Sequence, residues 1–455
     1  MGFILSILYF VTYYLTPTTL FGPLAAAHIE IILAVLISFA SLVSLPKSFI
    51  FRTPQSMALI GLGLAVVLSV LIGEHWAGGA VQAVLGFIPN AFGYFLVCLH
   101  CNSRKRLQIL VVILLPICLF VIAHGFIDLV RGFPNDLLSD PDFTGSPYLL
   151  AMRADGGNWL FRIRGLGEIH DPNDFGQLLV CVIPLTFIFW RAKQMLRNFV
   201  CVILPVSILL FGVYLTHSRG ALLALLAVAV VTGRRRIGTV PSLAIAAGLF
   251  VALMALNFTG GRAISADAGS DRTALWGESL QLLKSHPLFG VGFADLPDYL
   301  GHTAHNSVAV CAAELGLFGL YFWCLYLFPT VNDALAVASP ARLSDGKPPV
   351  PEEGLYPGET RKVEQLDKDE INRLGSLVLL ALTGFLVAGW FLSRSFVMTL
   401  FILGGMVEVI FEMALQREMI APRMRLVRVA PYSGILAAAL ILLMYVLLRT
   451  VNLMH

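Results

Sequence analysis

Apolar runs of about twenty residues recur along almost the whole of this 455-residue chain, and no other feature restricts the fold as much. The hydrocarbon core of a bilayer is about 30 Å thick and a helix rises about 1.5 Å per residue, so about 20 such residues cross it. Backbone N–H and C=O groups find no water there, and a helix satisfies them within one segment. About twelve or thirteen stretches qualify, at 3–21, 25–45, 56–73, 79–99, 107–130, 174–190, 198–216, 219–233, 238–256, 305–328, 374–392, 396–415 and 433–449. Charged residues make up only 13% of the chain and hydrophobic residues 58%, whereas a soluble domain carries about 25% charged residues. The mean hydropathy is +0.82. The expected fold is an all-α polytopic membrane protein, a single integral membrane domain over residues 1–455 with about 12–13 transmembrane helices. Pro17 and Pro23 interrupt the first run. It reads as an uncleaved helix, because no Lys or Arg precedes Lys47 to form the basic region of a signal peptide.

Lys and Arg are retained on the cytoplasmic side of a membrane, while carboxylates have little say. Alternate loops hold Lys47 and Arg52; Arg104, Lys105 and Arg106; Arg191, Lys193 and Arg197; Arg234, Arg235 and Arg236; the segment up to Arg373; and Arg417, Arg423, Arg425 and Arg428. These loops are therefore expected inside, together with the N-terminus. The long segments 131–173 and 257–304 then face outward. Thirteen spans place the C-terminus outside and twelve place it inside. The stretch 333–372, with 347–353 at its centre, has the proline and charge bias of a flexible cytoplasmic linker. A net charge of +3, with no basic stripe interleaved with aromatics, argues against nucleic acid as a partner and leaves the lipid bilayer. The seven cysteines lie mostly within apolar runs, which leaves no outward disulfide framework. Cys98, His100 and Cys101 have metal-like spacing but no second ligand pair nearby, so no metal site is expected.

Four outward features could carry chemistry. In 162–176, Asn173 or Asp174 can cap a helix after a proline turn, or the helix start can hold an anion with Arg162 or Arg164. At 216–220, Ser218 and Gly220 flank Arg219 in a turn too tight for a long excursion. Arg219 either snorkels to lipid headgroups or offers a planar fork of donors to a diphosphate. In 271–292, Leu275, Trp276, Leu280 and Leu283 recur at helical spacing, which predicts an amphipathic helix on the outer surface. Arg272 lies in its first turn, where a cation opposes the helix macrodipole and a bound anion would account for it. At 302–306, His302, His305 and Asn306 lead into an apolar helix. Such a histidine touches headgroups or, as neutral imidazole, accepts a proton from a hydroxyl. Glu314, out of phase with His305, and Glu408 and Glu412, toward the inner side, read as contacts between helices. The outer carboxylates Asp267, Asp271 and Asp295 form no paired signature at a helix end.

Taken in order, the polar HDPND entry, HSRGA, DR followed by Trp276 and HPLFGVG, and then HTAHN with ELGLFG resemble the O-antigen ligase and polymerase superfamily over 160–328. The resemblance implies a GT-C-like membrane glycosyltransferase of the bacterial inner membrane, multi-pass, with its active site on the periplasmic side and short amphipathic helices in a large periplasmic loop. It implies an undecaprenyl-diphosphate-linked glycan as donor and lipid A-core or another glycan as acceptor, with no cofactor. Arg219 and Arg272 resemble the arginines that bind the donor diphosphate, with Arg164 a further candidate, and His305 resembles the catalytic histidine. Asn306, His302, Ser218 and Asn173 stand beside them as supporting residues. A metal-independent, inverting transfer follows, most simply ligation to lipid A-core in lipopolysaccharide biosynthesis. The alternatives are an O-antigen or exopolysaccharide polymerase, a protein O-oligosaccharyltransferase or, outside the class, a lipid or glycan transporter. A transporter tends to show an internal repeat and broken helices at mid-membrane depth, and the sequence repeats no half.

Overall fold

The computed structural model describes residues 1–20, 23–24, 29–45, 50, 53–140, 142–153, 158–255, 258, 266–339 and 357–454. The centre of the expected linker, 347–353, lies outside the described residues, as does the side chain of Asp271. Each expected apolar run has a helix on its described part. In chain order the helices are α1 (Gly2–Leu15), α2 (Ile29–Ser44), α3 (Pro54–Gly73), α4 (Ala77–His100), α5 (Arg104–Arg131), α6 (Pro172–Thr186), α7 (Met195–Leu215), α8 (Arg219–Ile237), α9 (Thr239–Ala255), α10 (Ala266–Ser285), α11 (Leu296–Leu300), α12 (Ser307–Ala338), α13 (Pro357–Gly389), α14 (Met398–Leu415) and α15 (Leu426–Met454). Among the described residues nine helices, α3 to α7 and α12 to α15, are long and apolar enough to cross a bilayer. The protein is an all-α polytopic membrane protein. The first run divides: Thr16, at a φ of 38°, ends α1, and Pro17 opens a separate short turn.

Helix starts are set by local chemistry. Thr53 caps α3 by accepting the Ser56 N–H (3.2 Å), with Pro54 filling the first position, where a missing N–H has no consequence. The bundle is organised about α12, which packs on α3, α13, α15 and α10, while α6 lies on α13 and α4 on α14. Tyr94, Tyr326 and Phe401 are fully buried and meet edge to face at 5.9 and 5.5 Å. In contrast, most of α15 turns outward, as a helix facing lipid does.

The segment expected as one span at 305–328 is broken. Gly316 has a φ of 66° and a ψ of −167°, conformations open to glycine at little cost. The loop Pro287–Gly292 fills the break with its own backbone. Val291 and Gly292 donate N–H to the carbonyls of Ala313 and Glu314 (3.0 and 3.2 Å), and the N–H groups of Leu317 and Phe318 reach the carbonyls of Pro287 and Leu288 (2.8 and 3.1 Å). A Cβ at Gly316 would stand 2.4 Å from the Leu288 carbonyl. The two halves of α12 fold back on one another. Ser395 Oγ donates to the Ser307 carbonyl (2.6 Å) while Trp323 Nε1 donates to the Ser395 carbonyl (3.0 Å), so Ser307 lies beside a residue two turns beyond the break.

The outer segment 131–173 also folds in a way its periodicity does not signal. A three-stranded antiparallel sheet, β1 (Gly145–Ser146), β2 (Leu149–Arg153) and β3 (Trp159–Ile163), pairs Leu150 with Arg162 and Ala151 with Phe161. Strands this short carry little alternation to read. Ile163 packs on Gly125 at the end of α5 and anchors the sheet to the bundle.

Candidate functional site

Three of the turns expected to face outward, on the side called outer here for that reason, converge with the start of α6. Asp171, not Asn173 or Asp174, is the N-cap of α6: its side chain accepts the Asn173 N–H at 2.7 Å, and Pro172 takes the first helical position. The expected caps are freed for other work. Asn173 Oδ1 accepts a bond from Arg162 Nη2 (2.9 Å), and Asp174 forms an ion pair with Arg394 of the α13–α14 loop. Arg162 also donates through Nε to the Thr216 carbonyl (2.8 Å) and is 3% exposed, so it ties β3 to the α7–α8 turn. Arg164 donates twice to the Ser146 carbonyl (3.1 and 2.9 Å), which fixes its guanidinium against β1.

Ser218 caps α8 by accepting the Ala221 N–H (3.3 Å), which places Arg219 at the first helical position. Gly176 lets α6 close on this turn, since a Cβ there would stand 2.8 Å from that of Ala221. Arg272 projects from α10, whose apolar face is turned into the protein rather than the lipid: Trp276, Leu280 and Leu283 are buried. Trp276 Nε1 donates to the Ala304 carbonyl (2.9 Å) and its ring meets Trp390 edge to face at 6.1 Å. The helix expected on the outer surface therefore braces the 301–306 loop.

In that loop Asn306 is fully buried and committed. Its Oδ1 caps the Val308 and Ala309 N–H groups (2.8 and 3.0 Å), and its Nδ2 donates to the Trp390 carbonyl (2.9 Å). His305 has a φ of 50°, rarely adopted by a side-chain-bearing residue. Its N–H donates to Ser393 Oγ (2.9 Å), which helps hold that conformation. His305 is half-buried, whereas His302 is exposed.

Arg219, Arg272, His305 and Asp171 come close enough to feel one another's charge. Burial holds the Arg272 guanidinium below its ordinary value, Arg219 adds to that, and Asp171 opposes it. Burial likewise lowers the His305 imidazole, with Arg272 adding to the effect and Asp171 opposing it. Arg164 is lowered by burial and raised by Asp171. The Arg219 and Arg272 guanidiniums thus lie near one another, with Asp171 beside Arg272, and an anion between the guanidiniums would relieve their mutual repulsion. A neutral imidazole stands beside them, able to take a proton. Arg219, Arg272 and His305 were read from the sequence. Asp171 and Arg394 were not, although an acidic residue before a proline at a helix start, and a second Ser-Arg turn between apolar runs, were visible.

Asp295 pairs with Glu74 at the outer end of α3, a pairing of carboxylates that the sequence did not lead us to expect. Burial first, and then the Glu74 charge, push Asp295 up to about 6. Among the described residues no three His, Cys, Asp or Glu side chains are grouped to hold a metal ion. His100 bonds Ser41 Oγ through Nε2 (3.1 Å), and Cys98 and Cys101 are buried. Next to the site, between α12, α13 and α15, lies an apolar cavity of about 420 Å³ lined by Ser307, Trp390, Gly389, Phe328, Leu335 and Leu440.

The region that carries these residues has a counterpart among known families. Residues 204–324 match the family model of O-antigen ligase. The match supports the O-antigen ligase and polymerase superfamily, and with it an enzyme of that general type in a membrane. It runs from α7 into α12 and includes Arg219, Arg272 and His305; Asp171, Asp174 and Arg394 lie beyond it. No curated protein matches the chain.

Proposed function

We propose that this protein transfers a glycan from an undecaprenyl-diphosphate donor to a hydroxyl of lipid A-core on the periplasmic face of the bacterial inner membrane. The observation that carries the reading is the crowding of Arg219 and Arg272 beside a neutral His305, next to an apolar cavity in the bundle. The arginines hold the diphosphate, and the cavity takes part of the polyprenyl chain. The acceptor oxygen forms a bond to the anomeric carbon from the face opposite the diphosphate. The carbon–oxygen bond to the diphosphate breaks, and the leaving group departs with the electron pair against the guanidiniums. The hydroxyl proton passes to the free ring nitrogen of His305. Fixed donors aimed at such developing charge contribute about 2.7–4 kcal/mol each in comparable sites. Arg164 and Arg162, bound to backbone carbonyls, shape the wall rather than grip the donor.

The broken α12 favours a second reading, because transporters build binding sites on interrupted helices. Here the interruption is filled by the 287–292 backbone. Reconstitution of the purified protein with lipid-linked glycan and lipid A-core, in EDTA, tests the proposal by gel shift. Transfer in EDTA that is lost in His305→Ala and Arg219→Ala is expected. Loss of transfer on chelation would overturn the metal-free step. Longer lipid-linked glycan without a shifted core would make the protein a polymerase, and glycan movement without any covalent product would make it a transporter.

A further inference from the structure

At the opposite end of the bundle lies a second polar cluster that the outer site does not use. Gln55 at the inner start of α3, Asp333 near the inner end of α12 and Glu408 on α14 are 1%, 2% and 0% exposed. Arg423, from the inner loop before α15, reaches in among them. Its Nε lies 3.7 Å from Asp333 Oδ2, its Nη2 pairs with Glu408 Oε1, and its guanidinium sits 4.6 Å from the centre of the Phe411 ring. Gln55 Nε2 donates to Asp333 Oδ2 (2.9 Å), and the Tyr94 hydroxyl donates to Glu408 Oε2 (3.5 Å). Thr53 and Ser56 bond the same phenol oxygen (3.1 and 3.4 Å). Cys98, Tyr326 and Glu412 are the other titratable groups near Glu408.

Two deficits coincide here. Asp333 and Glu408 bring two negative charges and Arg423 brings one positive charge, so among the described residues the buried group is one positive charge short. Gln55 Oε1 is buried and has no hydrogen-bond partner among the described residues. A net charge in the interior of a membrane bundle is costly unless it is paired, and a buried acceptor without a donor is costly too. The amide cannot simply be turned over, because its nitrogen is the group that serves Asp333. One bound monocation cures both deficits, whereas a divalent ion would overfill the charge and asks for more oxygen ligands.

We propose that Gln55, Asp333 and Glu408 form a buried site for one monovalent cation, occupied by an alkali ion held on Gln55 Oε1 and the carboxylates or by a proton that one carboxyl donates to Gln55 Oε1. The site draws its ligands from α3, α12 and α14, and its occupant neutralises the charge where these helices meet Arg423. It is independent of the outer site and of the reaction proposed there.

Thermal unfolding of the purified full-length protein in detergent tests this, with NaCl exchanged for N-methylglucamine chloride at fixed ionic strength and at a series of pH values. Glu408→Gln removes the surplus charge at equal size, and Gln55→Leu removes the orphan acceptor. If an alkali ion binds, the midpoint rises with the logarithm of the Na⁺ concentration in the wild type and stays flat in both variants. If a proton binds, Na⁺ has no effect, the wild-type midpoint falls as pH rises and the site empties, and Glu408→Gln loses that fall. Asp333→Asn provides the same comparison should Glu408→Gln not fold. Midpoints that respond to Na⁺ and pH identically in the wild type and in the variants would overturn the proposal.

Discussion

The outer polar cluster gathers arginines about a histidine, whereas the inner one gathers carboxylates about an arginine. At the outer mouth Arg272 lies near Arg219, Asp171 and His305, with Arg394 already matched to Asp174. Beneath, Asp333 and Glu408 face the guanidinium of Arg423. The outer residues are half-buried on loops and helix starts, where a large anion can reach them. The inner ones are sealed between helices. In a protein with so few charges, the charged residues gathered at a position mark what the position is built to receive, and accessibility sets the size of the guest.

Removing a polar side chain at either end should break different things. His305→Ala is expected to reduce transfer by about 10²–10⁴-fold, the span typical of losing a proton acceptor, with the melting temperature unchanged; turnover and thermal unfolding on one preparation check both. Arg423→Met should do the reverse. It leaves two buried carboxylates facing each other and is expected to cost about 3–5 kcal/mol, read by unfolding, while activity per folded molecule stays near that of the wild type. Gly316→Ala lies between them. A side chain in that backbone conformation, pressed on the Leu288 carbonyl, should cost about 1–3 kcal/mol and lower activity in step with the loss of folded protein, because the break sits beside the 287–292 loop.

The smallest expected effect is on pH dependence. Transfer requires His305 neutral, so activity falls as pH drops through the imidazole value. Burial, then Arg272, lowers that value below the ordinary one of about 6.5, and the acid limb should lie below it. Asp171→Asn removes a carboxylate that raises the imidazole, and should move the acid limb further down. Arg272→Gln should move it up. A pH–rate profile on each variant at saturating donor separates these opposite shifts, and shifts in the same direction would break the assigned geometry.

The helices of this fold were legible because apolar runs of spanning length leave few alternatives, and the basic loops gave them an order. Arg219, Arg272 and His305 were legible for a related reason: a polar residue at the edge of an apolar run must answer to something. What could not be read depends on partners far along the chain. Gly316 looks like an ordinary residue of an apolar helix, and only the backbone of 287–292, folded against it, makes it a break. Arg394 is defined by Asp174, which is 220 residues away. The cap of α6 was misplaced by two or three residues because Asn173 and Asp174 are equally good cap formers, and their capture by Arg162 and Arg394 is a tertiary event. Glu408 was read as a contact between helices, without the Arg423 and Asp333 that surround it.

The most direct test of the role given to the two outer arginines is equilibrium binding of undecaprenyl diphosphate, in detergent with EDTA, to His305→Ala and to the same protein carrying Arg219→Ala and Arg272→Ala in addition. With the proton acceptor gone in both, only the grip on the diphosphate differs. The account predicts that His305→Ala binds as tightly as the wild type and that the added arginine substitutions weaken binding at least a hundredfold, about 2.8 kcal/mol at 1.4 kcal/mol per tenfold. Equal affinity with and without the two arginines would contradict it.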